Sequence, residues 1–415
     1  MKNPNLVIDI GQTFIKFIFI NNNYKIIDHI IINNNLLIKR RVLNYNIIKL
    51  KNIIILNTKK ILRKHSIKKI ISITHGSASF FINKKKEYFS GPHFKQKSTN
   101  YFDNSFFKKI NKNDYTHSIK LEHFHNLGKS FYYLLKNKKK LKINKIITFP
   151  SLINFILTNK LFLDKSYLAC HSFAWNFKQK KLIRYFRKEK KIFPQIIESG
   201  KKIGNLKKEY FSKYKVEVFN GIHDTSGSYL ALKKNFNFNN SILINTGTYF
   251  ILSKKVKFKS YIDKNFYYNY GADKNLYLCK RFEAGLIYQK FNPKMLFSKK
   301  KFNLTEIDNF LKNCKNLQIS QLRKINQNNQ KKDYFRLNFY IANQLNKRIA
   351  MFINKKKRYK IIIDGSFVKN YILIYFLKYL GNYEIYLNNG EYVNSIGAAT
   401  FLINKKPRIT YTKMK

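Results

Sequence analysis

Leu6-Val-Ile-Asp-Ile-Gly-Gln-Thr-Phe-Ile-Lys16-Phe-Ile-Phe-Ile20 is the stretch on which the fold turns. Two apolar, β-branched runs, 6–10 and 14–20, flank a short break at Gly11-Gln12-Thr13, and that spacing predicts a tight hairpin. Asp9 stands two residues before the glycine, inside an otherwise apolar run where an unpaired charge is costly. Gly11 allows a bulky anion to approach the backbone, and Thr13 offers a hydroxyl and an amide beside it. A metal-bound phosphate accounts for all three residues, whereas a hairpin needs only the turn.

The 415 residues suffice for two domains, each with its own core. With 44% hydrophobic and 16% aromatic residues, the chain is a folding globular protein and not a disordered basic tail. Lysines and arginines number 82 against 21 acidic residues, and the formal charge of +61 by itself points to nucleic acid or an anionic membrane surface. Two features discount that reading. Lys, Asn and Ile are raised together, in runs such as Asn21-Asn22-Asn23 and Asn33-Asn34-Asn35, and an AT-biased genome produces that pattern in any protein. The lysines are also spread along the chain and form no single block. Cys170, Cys279 and Cys314 lie far apart without metal-ligand spacing, which implies a reducing compartment and no disulfide framework. Lys2-Asn3-Pro4 leads straight into a strand, unlike a signal peptide, and no apolar run approaches the roughly 20 residues of a membrane helix. The expectation is a soluble, cytoplasmic protein.

Along the chain, Asn21-Asn22-Asn23 is a second turn and residues 24–32 a third strand, so the N-terminus is an antiparallel meander and not the βαβ start of a dinucleotide-binding fold. Residues 44–63 are apolar and mixed. A buried strand over 69–74 ends at His75-Gly76-Ser77, a position where functional residues gather. Residues 83–118 read as a polar surface excursion and 121–141 as helical. Phe149-Pro150 marks a helix start near Ser151. Trp175, the only tryptophan, reads as core, and the basic residues of 178–191 as a solvated helix face. A short strand over 216–219 runs into Asn220-Gly221-Ile222-His223-Asp224-Thr225, where small residues open a helix. After a linker at 235–240, the strand 241–245, the turn Thr246-Gly247-Thr248 and the return at 249–252 resemble a second copy of the opening hairpin. Residues 303–353 are mainly helical in pattern. A buried strand over 359–363 ends at Asp364-Gly365-Ser366, with a helix to about residue 380 and a strand over 383–387. The helix 395–403 carries Gly397-Ala-Ala399, small enough for close packing, and the tail beyond 405 reads as loose.

In that order the motifs Asp9-Ile-Gly-Gln-Thr13, Thr74-His75-Gly76, Gly221-Ile-His-Asp224-Thr225, Thr246-Gly247-Thr248, Asp364-Gly365-Ser366 and Gly397-Ala-Ala399 resemble the FGGY family of carbohydrate kinases, within the actin-like sugar kinases, over roughly residues 5–403. Each motif is weak alone; their order is strong. The segment 166–176 is similar to the family's Ala-Ser-Arg-Thr-like segment, and Phe193-Pro194 with Glu198-Ser199-Gly200 and Gly204 to the one that precedes its catalytic aspartate. Departures are Asp364-Gly365-Ser366-Phe367, where the family shows two or three glycines, and Gln12 and Phe14 beside the first phosphate turn.

The resemblance implies an α/β fold of two actin-like (ribonuclease H-like) domains around an interdomain ATP/sugar cleft. They would be an N-terminal domain over 1–236 with the sugar and phosphate side and the catalytic Asp, and a C-terminal nucleotide-side domain over 237–404, followed by a basic tail over 405–415. It implies ATP and Mg²⁺, with Gly11, Thr13 and Lys16 at the phosphates from one side, Thr246, Gly247 and Thr248 from the other, and Gly365 against the adenosine. Asp9 would hold the metal, directly or through water. Asp224 would be the general base that takes a proton from a sugar hydroxyl as it attacks the γ-phosphate, with His75, Gly76 and His223 beside the sugar. Taken alone, Asp224 before a small-residue helix reads more readily as an N-cap, and one aspartate can do both through different oxygens. His75 reads equally as a strand-end histidine, while His171 and Glu283 carry weaker signals still.

His223-Asp224-Thr225 resembles rhamnulokinases and fuculokinases more than xylulokinases or glycerol kinases, which implies a ketose such as L-rhamnulose or L-fuculose. The expected partners are the sugar and ATP, with a possible homodimer, no membrane and no specific nucleic acid. Two rivals stand beside this reading. One is an eroded kinase-fold protein that binds nucleotide without turnover. The other, motivated by +61 and 29 tyrosines, is a basic nucleic-acid-binding protein with one continuous basic face.

Overall fold

The computed structural model describes residues 4–414 except 40–42, 94–104, 111–113, 115–125, 171, 234, 237, 264, 293–302, 314–316, 323–324, 326–329, 354–358, 382, 389 and 408. The chain divides into two compact units, the first formed by residues 1–235, 256–277 and 392–408, the second by 236–255, 278–391 and 409–415.

The first unit is organised on a six-stranded sheet. Strand β1 (Asn5–Ile10) is buried along its whole length, which is why its sequence is a continuous apolar run and not an alternation. It pairs antiparallel with β2 (Phe14–Ile20), and β2 with β3 (Ile26–Asn33), so the expected meander is present. On its other side β1 runs parallel to β4 (Lys69–Thr74). With β5 (Lys202–Asn205) and β6 (Glu217–His223), the order across the sheet is β5-β6-β4-β1-β2-β3. The expected short strand over 216–219 is too short. Strand β6 continues through Asn220-Gly221 to His223, with a register shift between Phe219 and Ile222. Gly221 is what permits this, because a Cβ there would lie 2.2 Å from the Ser72 hydroxyl and 2.8 Å from its carbonyl.

Helices cover the sheet. The segment 44–63 resolves into the helix Ile47–Lys64, capped by the Asn46 side chain, which accepts from the Lys49 N–H at 3.0 Å. The helix Phe149–Thr158 carries Pro150 in its first turn, as the sequence predicts, and ends on Asn159 in the left-handed conformation. Trp175 is buried. The basic stretch 178–191 is largely solvated but is not one helix face: only Arg184–Arg187 is helical, and Phe186 within it is buried. The helix Val393–Ala399 packs on the helix Asp224–Lys233 so closely that a Cβ on Gly397 would sit 1.8 Å from the Gly227 carbonyl oxygen. The small residues read from the sequence thus do set a helix–helix approach.

The second unit repeats the motif. Strand β7 (Ser241–Thr246) pairs antiparallel with β8 (Phe250–Val256) and parallel with β10 (Lys360–Gly365), as β1 does with β2 and β4. Strand β9 (Leu276–Phe282) lies outside β8, and β11 (Glu384–Asn388) outside β10. The tail is not loose as expected. Tyr411–Lys413 forms β12, an antiparallel edge strand on β11, and Phe236 packs edge-on against Tyr411 and Tyr386. Helices Leu304–Asn313 and Gln330–Ala350 lie within the stretch predicted to be helical. Of the 121–141 segment, Leu127–Lys136 is helical, while 121–125 fall outside the described residues, as do His171, Cys314 and much of the 83–118 excursion. Cys170 and Cys279 are buried thiols that form no disulfide. No described helix is long and apolar enough to cross a membrane.

Candidate active site

Strands β1, β4 and β6 run parallel, and their registers align Ile10 with Thr74 and Thr74 with His223. Asp9 and the Gly11 turn, His75 and Gly76, and His223 with Asp224 therefore occupy the carboxyl ends of three adjacent strands, where open α/β sheets bind ligands. Every site residue expected in this half of the chain lies at that one edge of the first unit.

The turn between β1 and β2 is held by Gly11 N–H donating to the Phe14 carbonyl at 2.9 Å and by the Asn34 side-chain amide donating to the Gly11 carbonyl at 2.6 Å. Asn34 thus has a structural task that its place in an asparagine run concealed. Gly11 has no positive φ, and a Cβ there would meet only the Phe14 oxygen, at an ordinary 3.4 Å. Neither backbone strain nor packing against the described residues requires glycine there. Gln12 and Thr13 are exposed beside it.

Asp9 and Lys16 are cross-strand partners, with the Lys16 Nζ donating to Asp9 Oδ2 at 3.3 Å and lying 5.7 Å from the centre of the Tyr392 ring. Burial is the largest influence on Asp9 and raises its pKa; Lys16 opposes this, and the charge of Asp224 adds to it. Two carboxylates that feel one another, one of them paired with Lys16, form an oxygen-donor site. That suits a small hard cation bound through one or two carboxylates and substrate phosphates. Among the described residues there is no cluster of three or more His, Cys, Asp or Glu that would hold a metal unaided.

Asp224 opens the helix Asp224–Lys233 and is about one-third exposed. Its Oδ1 accepts from the Thr225 N–H at 2.6 Å and from the Thr225 hydroxyl at 3.2 Å. His223 lies beside it, buried, with Nδ1 3.2 Å from Asp224 Oδ1. Burial, helped by the neighbouring His75, pushes the His223 pKa down to about 3, so the ring is neutral near pH 7 and the contact is a hydrogen bond and not an ion pair. With the Thr225 N–H taken by the closer Asp224 oxygen, Nδ1–H donates to Asp224. Nε2 is then left to accept from the Cys170 thiol at 3.4 Å.

His75 is fully engaged in the first unit. Its Nε2 accepts from the Tyr45 hydroxyl at 3.1 Å, its Nδ1 donates to the Gly76 carbonyl at 3.0 Å, and Phe149 stands edge-on to the ring. Tyr167 completes the wall, receiving the Ala78 N–H on its hydroxyl at 2.9 Å and facing His223 with ring centres 5.8 Å apart. Sequence reasoning missed Tyr45 and Tyr167, since tyrosine is abundant throughout the chain.

In the second unit, Thr246 uses its hydroxyl twice, donating to the Asp364 carbonyl at 2.7 Å and accepting from the Phe367 N–H at 3.1 Å. Gly365 has φ +98, and a Cβ there would lie 2.1 Å from the Thr246 carbonyl, so its glycine has a local cause. Gly247 resembles Gly11: the nearest atom to an added Cβ is 4.0 Å away. Thr248 is exposed. Behind the turn stands the helix Ala284–Phe291, with Leu286 N–H donating to the Thr248 carbonyl at 3.2 Å and Gly285 leaving room for the Gly247 carbonyl. A helix start beside an open Gly-Thr turn favours anions. Glu283, a weak sequence candidate, instead pairs with Arg281 at 2.9 Å.

Three comparisons bear on this geometry. The FGGY family of carbohydrate kinases, N-terminal domain, matches residues 5–231. No curated protein matches the sequence. Among solved structures, the chain is similar to a carbohydrate kinase from Novosphingobium aromaticivorans (14% identity, covering 100% of this chain and 94% of that one, TM-score 0.81). It is also similar to a ligand-bound xylulose kinase from Lactobacillus acidophilus (16% identity, 96% and 88%, TM-score 0.71) and to Plasmodium falciparum glycerol kinase with ADP (17% identity, 96% and 88%, TM-score 0.70). At these identities the likeness is one of fold.

Proposed function

This chain belongs to the FGGY family of carbohydrate kinases, with their two-domain α/β fold of actin-like type, and on that footing we propose that it transfers the γ-phosphate of ATP to a ketose such as L-rhamnulose or L-fuculose, with Asp224 as general base. The observation that carries the proposal is the alignment of Ile10, Thr74 and His223 across three parallel strands, which gathers Asp9, His75-Gly76 and Asp224 at one sheet edge.

Phosphoryl transfer asks for in-line positioning and charge neutralisation more than for covalent chemistry. We assign Gly11, Thr13 and Lys16 in the first unit, and Thr246, Gly247, Thr248 and Gly365 in the second, to ATP. The two glycines offer bare backbone, and Lys16 offers a charge once Asp9 has another partner. Asp9 would hold Mg²⁺, directly or through water, and the ion supplies neutralisation of the phosphate oxygens when bound. Asp224 keeps Oδ1 on Thr225 and His223, and its other oxygen, Oδ2, takes the proton of the attacking hydroxyl. His75, Gly76 and His223 are assigned to the sugar side, where the neutral His223 acts through Asp224. The deoxy-ketose assignment rests on the His223-Asp224-Thr225 triple.

The test is direct. Purified protein is incubated with Mg-ATP and, separately, L-rhamnulose, L-fuculose, D-xylulose and glycerol, and ADP release is followed. Turnover is expected with one of the two deoxy-ketoses. Turnover of xylulose or glycerol alone would displace the substrate assignment, and ATP binding without turnover of any sugar would leave an eroded, nucleotide-binding kinase fold.

A further inference from the structure

The strand Tyr267–Tyr270 and the turn that follows it, up to Tyr277, belong to the first unit, although they follow the β7–β8 pair in sequence. It is pinned there at several points. Asn269 forms an antiparallel bridge with Cys170, the Tyr270 N–H donates to the Ala169 carbonyl at 3.1 Å, and the Lys165 ammonium stands 4.8 Å from the centre of the Tyr270 ring. On the far side of the turn, Ala272 N–H donates to the Ser226 hydroxyl at 3.2 Å, and Tyr277 stacks on Tyr229 with ring centres 3.7 Å apart. Ser226 and Tyr229 belong to the helix that Asp224 opens. The segment 267–277 is therefore fixed both to the Cys170 segment and to the element that carries the proposed base.

Asn269 itself is 2% exposed, and neither its side-chain oxygen nor its side-chain nitrogen has a hydrogen-bond partner. A buried amide with both ends unmet is expensive, and such groups in native proteins call for an explanation. Bridge partners on antiparallel strands project to the same face. The Asn269 amide thus lies on the side of Cys170, whose thiol leads through His223 to Asp224. One residue that both donates and accepts, buried and unpaired on the Cys170 side of its strand, has the chemistry to meet a vicinal pair of hydroxyls.

We infer that Asn269 is a specificity-determining residue of the acceptor site, binding a sugar hydroxyl other than the one that is phosphorylated. This rests on the kinase reading above. A site built to hydrogen-bond a hydroxyl discriminates strongly against analogues that lack it, because its own polar group is left unpaired.

The test replaces Asn269 by the near-isosteric Leu and reads three quantities: KM for each sugar of the panel, KM for ATP, and the melting temperature of the ligand-free protein. The expected result is a sugar KM raised at least roughly tenfold, an unchanged KM for ATP, and a ligand-free melting temperature equal to or above that of the natural chain, since an unmet amide has been removed. A lowered melting temperature with an unchanged sugar KM would show that a resident water satisfies the amide, and would overturn the assignment. Should Leu fail to fold, Asn269→Ala gives the same readings. If the natural chain turns over no sugar, the kinase reading fails by itself. The Asn269 assignment is then decided by melting shifts with each sugar in the absence of ATP: shifts present in the natural chain and lost in the variant support it, and none in either protein overturns it.

Discussion

Replacing Asp224 by Asn separates the two tasks that one side chain can perform. As a helix opener, Asn is as good as Asp, and its oxygen can still accept from the Thr225 N–H at 2.6 Å and the His223 Nδ1–H at 3.2 Å. The substitution also removes the charge that raises the Asp9 pKa, so the folded state loses a repulsion. Stability should therefore stay within about 0.5 kcal/mol of the natural chain or rise slightly. What Asn cannot do is take a proton. General-base catalysis contributes about 10²–10⁴ in rate, so kcat should fall by that factor, about 3–5 kcal/mol of barrier. The assay is ADP release with the best sugar of the panel, beside a thermal melt and a sugar-binding titration of the same preparation. Burial pushes His223 down to about 3, so it gives the natural enzyme no rate inflection between pH 6 and 7 of its own. Activity within tenfold of natural for Asp224→Asn would refute the base, and activity lost together with the fold would show a structural residue instead.

Two contrasts extend this. Gly11→Ala has room at 3.4 Å and should leave urea stability within about 0.5 kcal/mol while raising KM for ATP by about tenfold or more; Gly365→Ala, at φ +98 with its new Cβ 2.1 Å from the Thr246 carbonyl, should cost about 2 kcal/mol or more. Equal stability losses in the two variants would remove the argument that Gly11 is kept for a ligand. Asp164 is buried, and burial outweighs its hydrogen bonds from Ser199 Oγ at 2.6 Å, Tyr167 N–H at 2.8 Å and Ser166 Oγ at 2.5 Å, pushing its pKa up to about 6 from 3.8. The folded state then holds this proton more tightly than the unfolded state, so the contribution is full below pH 3.8 and is lost as pH rises through about 6, a loss of about 3 kcal/mol. Urea melts at pH 4 and 7.5 should show that loss in the natural chain and not in Asp164→Asn; identical pH slopes would sink it.

What was legible in the sequence is what local pattern encodes. The β1–β2 and β7–β8 hairpins announce themselves through apolar runs around a glycine turn, and the parallel partner strands through runs ending in His75-Gly76 and Asp364-Gly365. Pro150 and the small residues of Gly397-Ala-Ala399 each carry a steric reason that the fold keeps. What was hidden depends on contacts far apart in the chain. Strand β6 runs past Asn220-Gly221 because Ser72, more than a hundred residues earlier, sits against the bulge. The tail becomes an edge strand because β11 needs a partner and Phe236 a neighbour. Tyr45 and Asn34 reach the site edge from segments whose composition looks like that of the rest of the chain.

The two hairpins share geometry but not chemistry, and the difference argues for a division of labour. In the first, Asp9 precedes the glycine by two residues and faces Lys16; in the second, the same positions hold Asn245 and Ile251. The second unit does have a carboxylate nearby, Asp364, but Asn388 donates to it at 2.8 Å and Asn245 at 3.3 Å, so it is bound into the unit's own fabric. Asp9 has instead a single lysine and the field of a second carboxylate. The cation proposed above would therefore find its carboxylate at the first hairpin. The second offers an uncharged turn with bare backbone at Gly247 and a helix start behind it, features that favour anions. The duplicated hairpin thus carries the Asp9–Lys16 pair in the first unit and an uncharged Gly-Thr turn in the second.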